Sequence, residues 1–256
     1  MEPITIRNLL IGKGSPKTIV SLMGKTIEDA ITTGKKALEA GADCLEWRAD
    51  YCINFRDITS MEHNATALRN AFPNTALLFT FRSTGQGGQA DLSVSEYSTL
   101  MKAMIHTGAF DLVDIESLIG DDEIRALSSL AHECKVCVVV SHHDFETTPA
   151  KEWMVNKMRH MQSLGADIPK IAVMAHTAAD TLTLLQATDE MSRLYADGPL
   201  ITMAMGRWGA LSRLTGEVFG SAMTFCSLET ASAPGQVDIA LTNALMESIH
   251  HIHCDA

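Results

Sequence analysis

The chain has 256 residues, 46% of them apolar, and carries 31 acidic against 20 basic side chains, a net charge of −11. That is enough apolar mass for one large core or two small ones. The acidic balance and the lack of any lysine/arginine-rich block argue against nucleic acid or an anionic membrane as partner, so a bound anion must be held by a local cluster of cations.

The opening "MEPITIRNLLIGKG" begins with an acid and carries Arg7 inside its only apolar stretch, which suits neither a signal peptide nor a membrane anchor. No apolar run approaches the ~20 residues of a membrane helix. The six cysteines (Cys44, Cys52, Cys134, Cys137, Cys226, Cys254) are therefore expected as reduced thiols in a cytoplasmic protein. "PITIRNLLIGKG" alternates apolar and polar residues and predicts a short hairpin, while "GKGSPK" after it lacks the spacing of a P-loop.

Apolar, β-branched runs then recur at 18–23, 44–50, 76–82, 112–117, 136–144, 168–175, 199–206 and 222–228. Their starts lie roughly 25 to 35 residues apart, the length of a strand-plus-helix unit. Between them lie amphipathic segments, the first opened by Thr26 and Asp29 and the third by Ser93 and Glu96 as capping boxes, with Gly41 and Gly108 at their ends. "GADCLEW", "GAFDLVD" and "GADIPKI" echo one another before the second, fourth and sixth runs. With no Ser/Pro-rich linker to divide them, eight such units predict a single (β/α)8 barrel over 1–256, the hairpin closing its bottom. A doubly wound open sheet is the alternative.

Two clusters are expected to be inert. "CKVC" at 134–137 runs into "VVV" and reads as the start of a strand, where residues three apart face opposite ways and share neither metal nor disulfide. "HHIHCDA", with His250, His251, His253 and Cys254, reads as a solvated, frayed tail.

In a barrel of this kind chemistry sits at the C-terminal strand ends, so polar residues on otherwise apolar runs are informative. They are Ser21 in the first run, Glu46 and Arg48 two apart in the second, Arg82 closing the third, and Asp114 and Glu116 in the fourth. His142, His143 and Asp144 close the fifth run, where only one histidine can face inward; Lys170 stands in the sixth, and Arg213 and Ser232 follow the seventh and eighth. Three arginines, several carboxylates, a histidine and a lysine converging on one volume describe a site for a small polar anion. A desolvated lysine crowded by cations loses proton affinity and becomes a nucleophile for carbonyl carbon, and a histidine beside the imine can move protons. Residue types and spacing leave aldol cleavage and dehydration equally open. The loop "FRSTGQGG" after the third run has no helix-start lysine and is not a phosphate cradle.

The motifs "LEWRAD", "LLFTFRS", "SHHDF", "DIPKIAVM", "SRLTGEVFGSAMTF" and "SAPGQ", in this order, resemble the type I 3-dehydroquinate dehydratases, imine-forming lyases of the shikimate pathway and aromatic amino-acid biosynthesis. The resemblance spans nearly the whole chain. It implies a (β/α)8 barrel, usually a homodimer, that converts 3-dehydroquinate to 3-dehydroshikimate with no metal and no organic cofactor. Lys170 would form the Schiff base and His143 would move the C2 proton and assist loss of the C1 hydroxyl. Arg213 would clamp the substrate carboxylate, and Ser232 and Gln236 would close over the ligand. Ser21, Glu46, Arg48 and Arg82 would hold ring hydroxyls, and Met203, Met205 and Phe225 would form the apolar wall. Two places depart from the pattern. Gln86 stands where the family carries a glutamate that orients the histidine, which predicts a weaker base at His143 and reduced activity. Arg207 and Trp208 replace a lysine and a small polar residue near Arg213. The rival readings are a non-catalytic paralogue that binds quinate-like acids and an imine-forming class I aldolase.

Overall fold

The computed structural model describes residues 2–254, and of Cys254 the backbone alone. A short antiparallel hairpin, β1 (Ile4–Ile6) and β2 (Leu9–Ile11), pairs Ile4 with Ile11. Eight parallel strands follow: β3 (Lys17–Leu22), β4 (Cys44–Arg48), β5 (Ala76–Thr80), β6 (Leu112–Glu116), β7 (Cys137–Asp144), β8 (Ile168–Met174), β9 (Ile201–Met205) and β10 (Met223–Cys226). They run in chain order around one sheet with β10 against β3, a neighbour relation an open doubly wound sheet does not make. The seam between β9 and β10 is drawn together by the Leu200–Ser221 bridge, and the Ser221 hydroxyl accepts the Thr202 N–H at 3.0 Å. The fold is a (β/α)8 barrel.

Helices α1 (Ile27–Glu39), α2 (Ile58–Ala71), α3 (Val94–His106), α4 (Asp121–Glu133), α5 (Lys151–Ser163) and α6 (Ala178–Leu194) each return the chain to the next strand. The short α7 (Ala210–Leu214) and α8 (Gly216–Phe219) do so after β9, and α9 (Ile239–Cys254) follows β10. The capping boxes at Thr26/Asp29 and Ser93/Glu96 form as expected, and Thr177/Asp180 makes a third. None of the helices among the described residues is long and apolar enough to cross a membrane.

Period-2 alternation sorts the strand residues into two cores. Outward-facing Leu45, Trp47, Leu77, Phe79, Val113 and their equivalents pack under the helices, with Trp47 stacked on Phe110 at 5.9 Å. Inward-facing Ile19, Cys44, Leu78, Leu112, Val139, Ile168 and Ile201 fill the barrel's N-terminal end, and Ile6 and Ile11 of the hairpin pack into the same cluster. Two residues further along each strand the inward positions become Ser21, Glu46, Thr80, Asp114, Ser141, Lys170 and Met203. One step in sequence thus turns an apolar plug into a polar chamber at the C-terminal end.

Two expectations are corrected. Cys134 caps the end of α4 and Cys137 begins β7, so the pair is split by a helix-to-strand turn and not by strand alternation. The C-terminal histidines belong to the helix α9 and not to a frayed tail: His250 Nδ1 lies 2.7 Å from Glu217 Oε1 of α8, while His251 and His253 are solvent-exposed as expected. The side chain of Cys254, and Asp255 and Ala256, lie outside the described residues.

Candidate active site

A cavity opens at the C-terminal end of the barrel, lined by Glu46, Arg48, Arg82, Gln86, His143 and Lys170 on its polar side. Met203, Met205 and Phe225 form its apolar side, with Ser232 and Gln236 over it. Ser21 and Arg213 stand one layer behind. The Ser21 hydroxyl donates to Glu46 at 2.5 Å and lies 3.2 Å from the Ser232 hydroxyl, while Arg213 Nη1 lies 3.7 Å from Met203 Sδ. Eleven of the thirteen expected site residues thus line one chamber, with Ser21 and Arg213 behind its wall. His142 does not: its ring packs on Trp153, because it is one residue out of phase with His143.

The charges are arranged as pairs. Arg48 makes a bidentate bridge to Asp50, both bonds 2.8 Å. Arg82 donates to Asp114 at 2.7 Å, to Glu116 at 3.0 Å and to the Ser141 hydroxyl at 2.8 Å. Lys170 Nζ donates to Asp114 at 3.0 Å and lies 4.3 Å from the centre of the Phe225 ring. The Glu46 carboxylate is held by the hydroxyls of Ser21 and Thr80. The expectation of a lysine crowded by cations is thus only half right. Burial lowers the Lys170 pKa and Arg82 adds to that, but Asp114 opposes both.

Arg213 is the exception. Its guanidinium is 2% exposed, has no carboxylate partner among the described residues, and donates through Nη2 to the Pro234 carbonyl at 3.2 Å. Its Nε has no hydrogen-bond partner there, and burial pushes its pKa down to about 10. A buried cation with an idle donor is a place for an anion.

The loop "STGQGG" is shaped by two glycines. A Cβ on Gly88 would lie 1.8 Å from the Arg82 carbonyl oxygen, and one on Gly87, whose φ is +85°, would meet the Phe145 ring at 2.3 Å. This tight turn swings Gln86 back, 1% exposed, against β7. Its Oε1 accepts the main-chain N–H of His143 at 2.9 Å, which fixes the amide orientation, and lies 3.1 Å from His143 Nδ1. An oxygen acceptor on that side puts the imidazole proton on Nδ1 and leaves Nε2 as the basic nitrogen. No carboxylate hydrogen-bonds to the ring among the described residues. Burial, then Arg82, Lys170 and Arg48, hold His143 well below its ordinary value. Gln86 Nε2 is buried with no partner among the described residues, so the loop keeps one unsatisfied donor at the chamber.

Five participants had no role assigned from the sequence: Asp50, Thr80, Asp114, Glu116 and Ser141. The signal available was phase, since Thr80, Asp114 and Ser141 occupy the same inward layer as Glu46 and Lys170. Arg207 and Trp208 pack on each other at 5.0 Å, and the Trp208 carbonyl accepts the Thr181 hydroxyl, outside the chamber.

Comparison with known proteins places the chamber in context. Residues 18–253 match the family model described as type I 3-dehydroquinase. A 3-dehydroquinate dehydratase of Salmonella paratyphi B is 48% identical over 250 residues, 98% of this chain and 99% of that protein. The crystal structure of a type I 3-dehydroquinate dehydratase from Clostridium difficile, with covalently modified comenic acid, is 42% identical with a TM-score of 0.95. It is covered to 99% and covers 98% of this chain. A Geobacillus kaustophilus 3-dehydroquinate dehydratase is 39% identical, TM-score 0.93, with 97% of this chain and 96% of that one covered.

Proposed function

Because the chain belongs to the type I 3-dehydroquinase family, a family of lyases, we propose that it dehydrates 3-dehydroquinate to 3-dehydroshikimate through a Schiff base on Lys170, with His143 as general acid and base. The observation that carries this reading is the shared chamber: Lys170 and His143 point inward from adjacent strands, with Ser141 opposite Lys170 and His143 opposite Ala172.

The neutral Lys170 amine adds to the C3 ketone, and the carbinolamine hydroxyl takes a proton from protonated His143 and leaves as water, giving an iminium and neutral His143. His143 Nε2 takes a C2 proton, the electron pair moves into the C2–C3 bond and the iminium becomes an enamine. The enamine pushes out the C1 hydroxyl, which leaves as water after taking the proton back from His143. Hydrolysis of the remaining imine releases the enone and restores Lys170. Arg213 receives the substrate carboxylate, as its unmatched charge suggests. Ser21, Glu46, Arg48 and Arg82 meet the ring hydroxyls, Met203, Met205 and Phe225 exclude water, and Ser232 and Gln236 close the mouth. In the same reading residues 1–256 form one catalytic unit that works as a cytoplasmic homodimer in the shikimate pathway without metal or organic cofactor.

Borohydride added during turnover of 3-dehydroquinate is expected to trap a covalent adduct, found by intact mass and mapped to Lys170. Absence of that adduct sinks the imine mechanism. Tight ligand binding with no absorbance from the conjugated product identifies a non-catalytic binder instead.

Gln86 sets a second expectation. Replacing it with glutamate puts an anion on His143 Nδ1–H, which raises the histidine pKa and strengthens the base. A histidine base must be neutral, so the acid limb of the kcat profile moves to higher pH in Gln86→Glu. The plateau rises by roughly three- to tenfold as base strength increases. Superimposable pH–rate profiles for the two chains would count against this account of Gln86.

A further inference from the structure

The proposed reaction leaves the carboxylate that touches Lys170 without a task. Asp114 lies in mid-β6; its Oδ2 accepts from Lys170 Nζ at 3.0 Å and Arg82 Nη2 at 2.7 Å, and its Oδ1 from the Ser141 hydroxyl at 2.5 Å. We infer that Asp114 is a positioning residue that acts through Lys170, supplying the counter-charge to Nζ in both of its cationic states, the resting ammonium and the iminium formed on a keto acid. This rests on the imine reading above.

Charged, polar and aromatic groups from five strands face Nζ. From β6 comes Asp114; from the end of β5 comes Arg82, itself bridged to Glu116; from β4 come Glu46, satisfied by two hydroxyls, and Arg48, tied to Asp50; from β7 comes His143; and from β10 comes the Phe225 ring. Among these, Asp114 is the carboxylate in direct contact with Nζ. It cannot absorb the lysine proton, because Arg82 and Ser141 both donate to it and hold its carboxyl well below the usual range. It therefore stays an anion throughout.

Two consequences follow for the chemistry. Before attack, the ammonium must release a proton to His143 Nε2 or to water, so Asp114 makes that step harder. After the carbinolamine has lost water, the C=N nitrogen carries the positive charge that draws the electron pair from the C2–H bond. In a dry chamber beside Arg82 and Arg48 an unpaired iminium would shed its proton and become a neutral imine, a poor electron sink. The same carboxylate that slows entry into the imine keeps the imine cationic, and it holds Nζ at the floor of the cavity next to His143.

The test compares the native chain with Asp114→Asn, which keeps size and Ser141 contact but removes the charge. Borohydride trapping with 3-dehydroquinate is followed by intact mass across pH 5 to 10, beside kcat and thermal melting. In the native chain the rate of adduct formation rises with pH as Nζ is deprotonated. In Asp114→Asn that limb moves to lower pH by about one to three units, the range for losing an adjacent opposite charge. The kcat falls on the order of 10²-fold, comparable to losing one charge-stabilising group. A loss of turnover with an unmoved trapping limb gives Asp114 only a structural role and overturns the inference. If the variant does not fold, the native profile decides: a limb supports the inference, and a flat rate from pH 5 to 10 overturns it. Trapping that works in the native chain while the limb fails to shift rejects Asp114 alone; no adduct in the native chain removes the imine reading and this inference with it.

Discussion

Lys170→Met is expected to lower kcat by on the order of 10⁴-fold or more and to abolish the borohydride adduct, while the protein still folds. The size follows from the role: removal of a covalent nucleophile eliminates the pathway and leaves only what binding and the remaining groups contribute. Methionine approximates the volume of a side chain that is 3% exposed and packed on Phe225, so the chamber is not hollowed out. Asp114 keeps its bonds to Arg82 and Ser141, and no uncompensated carboxylate is left behind. Among the described residues, no second lysine lines the cavity to take over. Turnover measured by product absorbance, together with a melting curve, checks the expectation; kcat within tenfold of the native value would show that Lys170 is not the nucleophile.

His143→Ala is expected to separate chemistry from imine formation. Loss of a general acid–base group lowers kcat by about 10²- to 10⁴-fold, yet Lys170 remains free to form its adduct, so the trapped mass persists. Intact mass under borohydride and steady-state turnover are the paired measurements. If the adduct disappears with turnover, His143 is needed to build the imine and not only to move the C2 proton. The native pH profile carries the companion sign. Burial and three neighbouring cations keep His143 below its usual pKa, so it remains neutral, and competent as a base, to lower pH than an ordinary histidine. Activity should be retained below pH 6.5, the ordinary value, and be lost only as pH falls through the depressed value.

The residue at 86 is a neutral amide where the family resemblance implies a carboxylate. From the sequence, glutamine is expected to accept a hydrogen bond as glutamate does but to leave His143 a weaker base because it carries no charge. The two bonds accepted by Oε1 indicate that orientation and tautomer survive, since an amide oxygen accepts as a carboxylate does. What is lost is charge, and what is added is an N–H₂ group with no partner among the described residues. The expected reduction in activity thus comes from base strength and not from a misplaced ring.

Barrel, layers and chamber were legible in the sequence because they depend on local rules. Alternation at period 2 places Cys44, Glu46 and Arg48, or Ile168 and Lys170, on one side of a strand whatever the neighbours are, and capping residues mark where helices begin. Which charge meets which was not legible. Asp114 reaches Lys170 across 56 residues and Arg82 across 32, and Gln86 reaches His143 across 57. Those contacts depend on strand register and on the turn made by Gly87 and Gly88, quantities set by closure of the whole barrel. Local periodicity is a property of the backbone and can be read along the chain. Charge pairing is a property of the closed fold, and only the tertiary structure decided that Lys170 has an anion at its side, that Arg213 has none among the described residues, and that the histidine leans on a neutral amide.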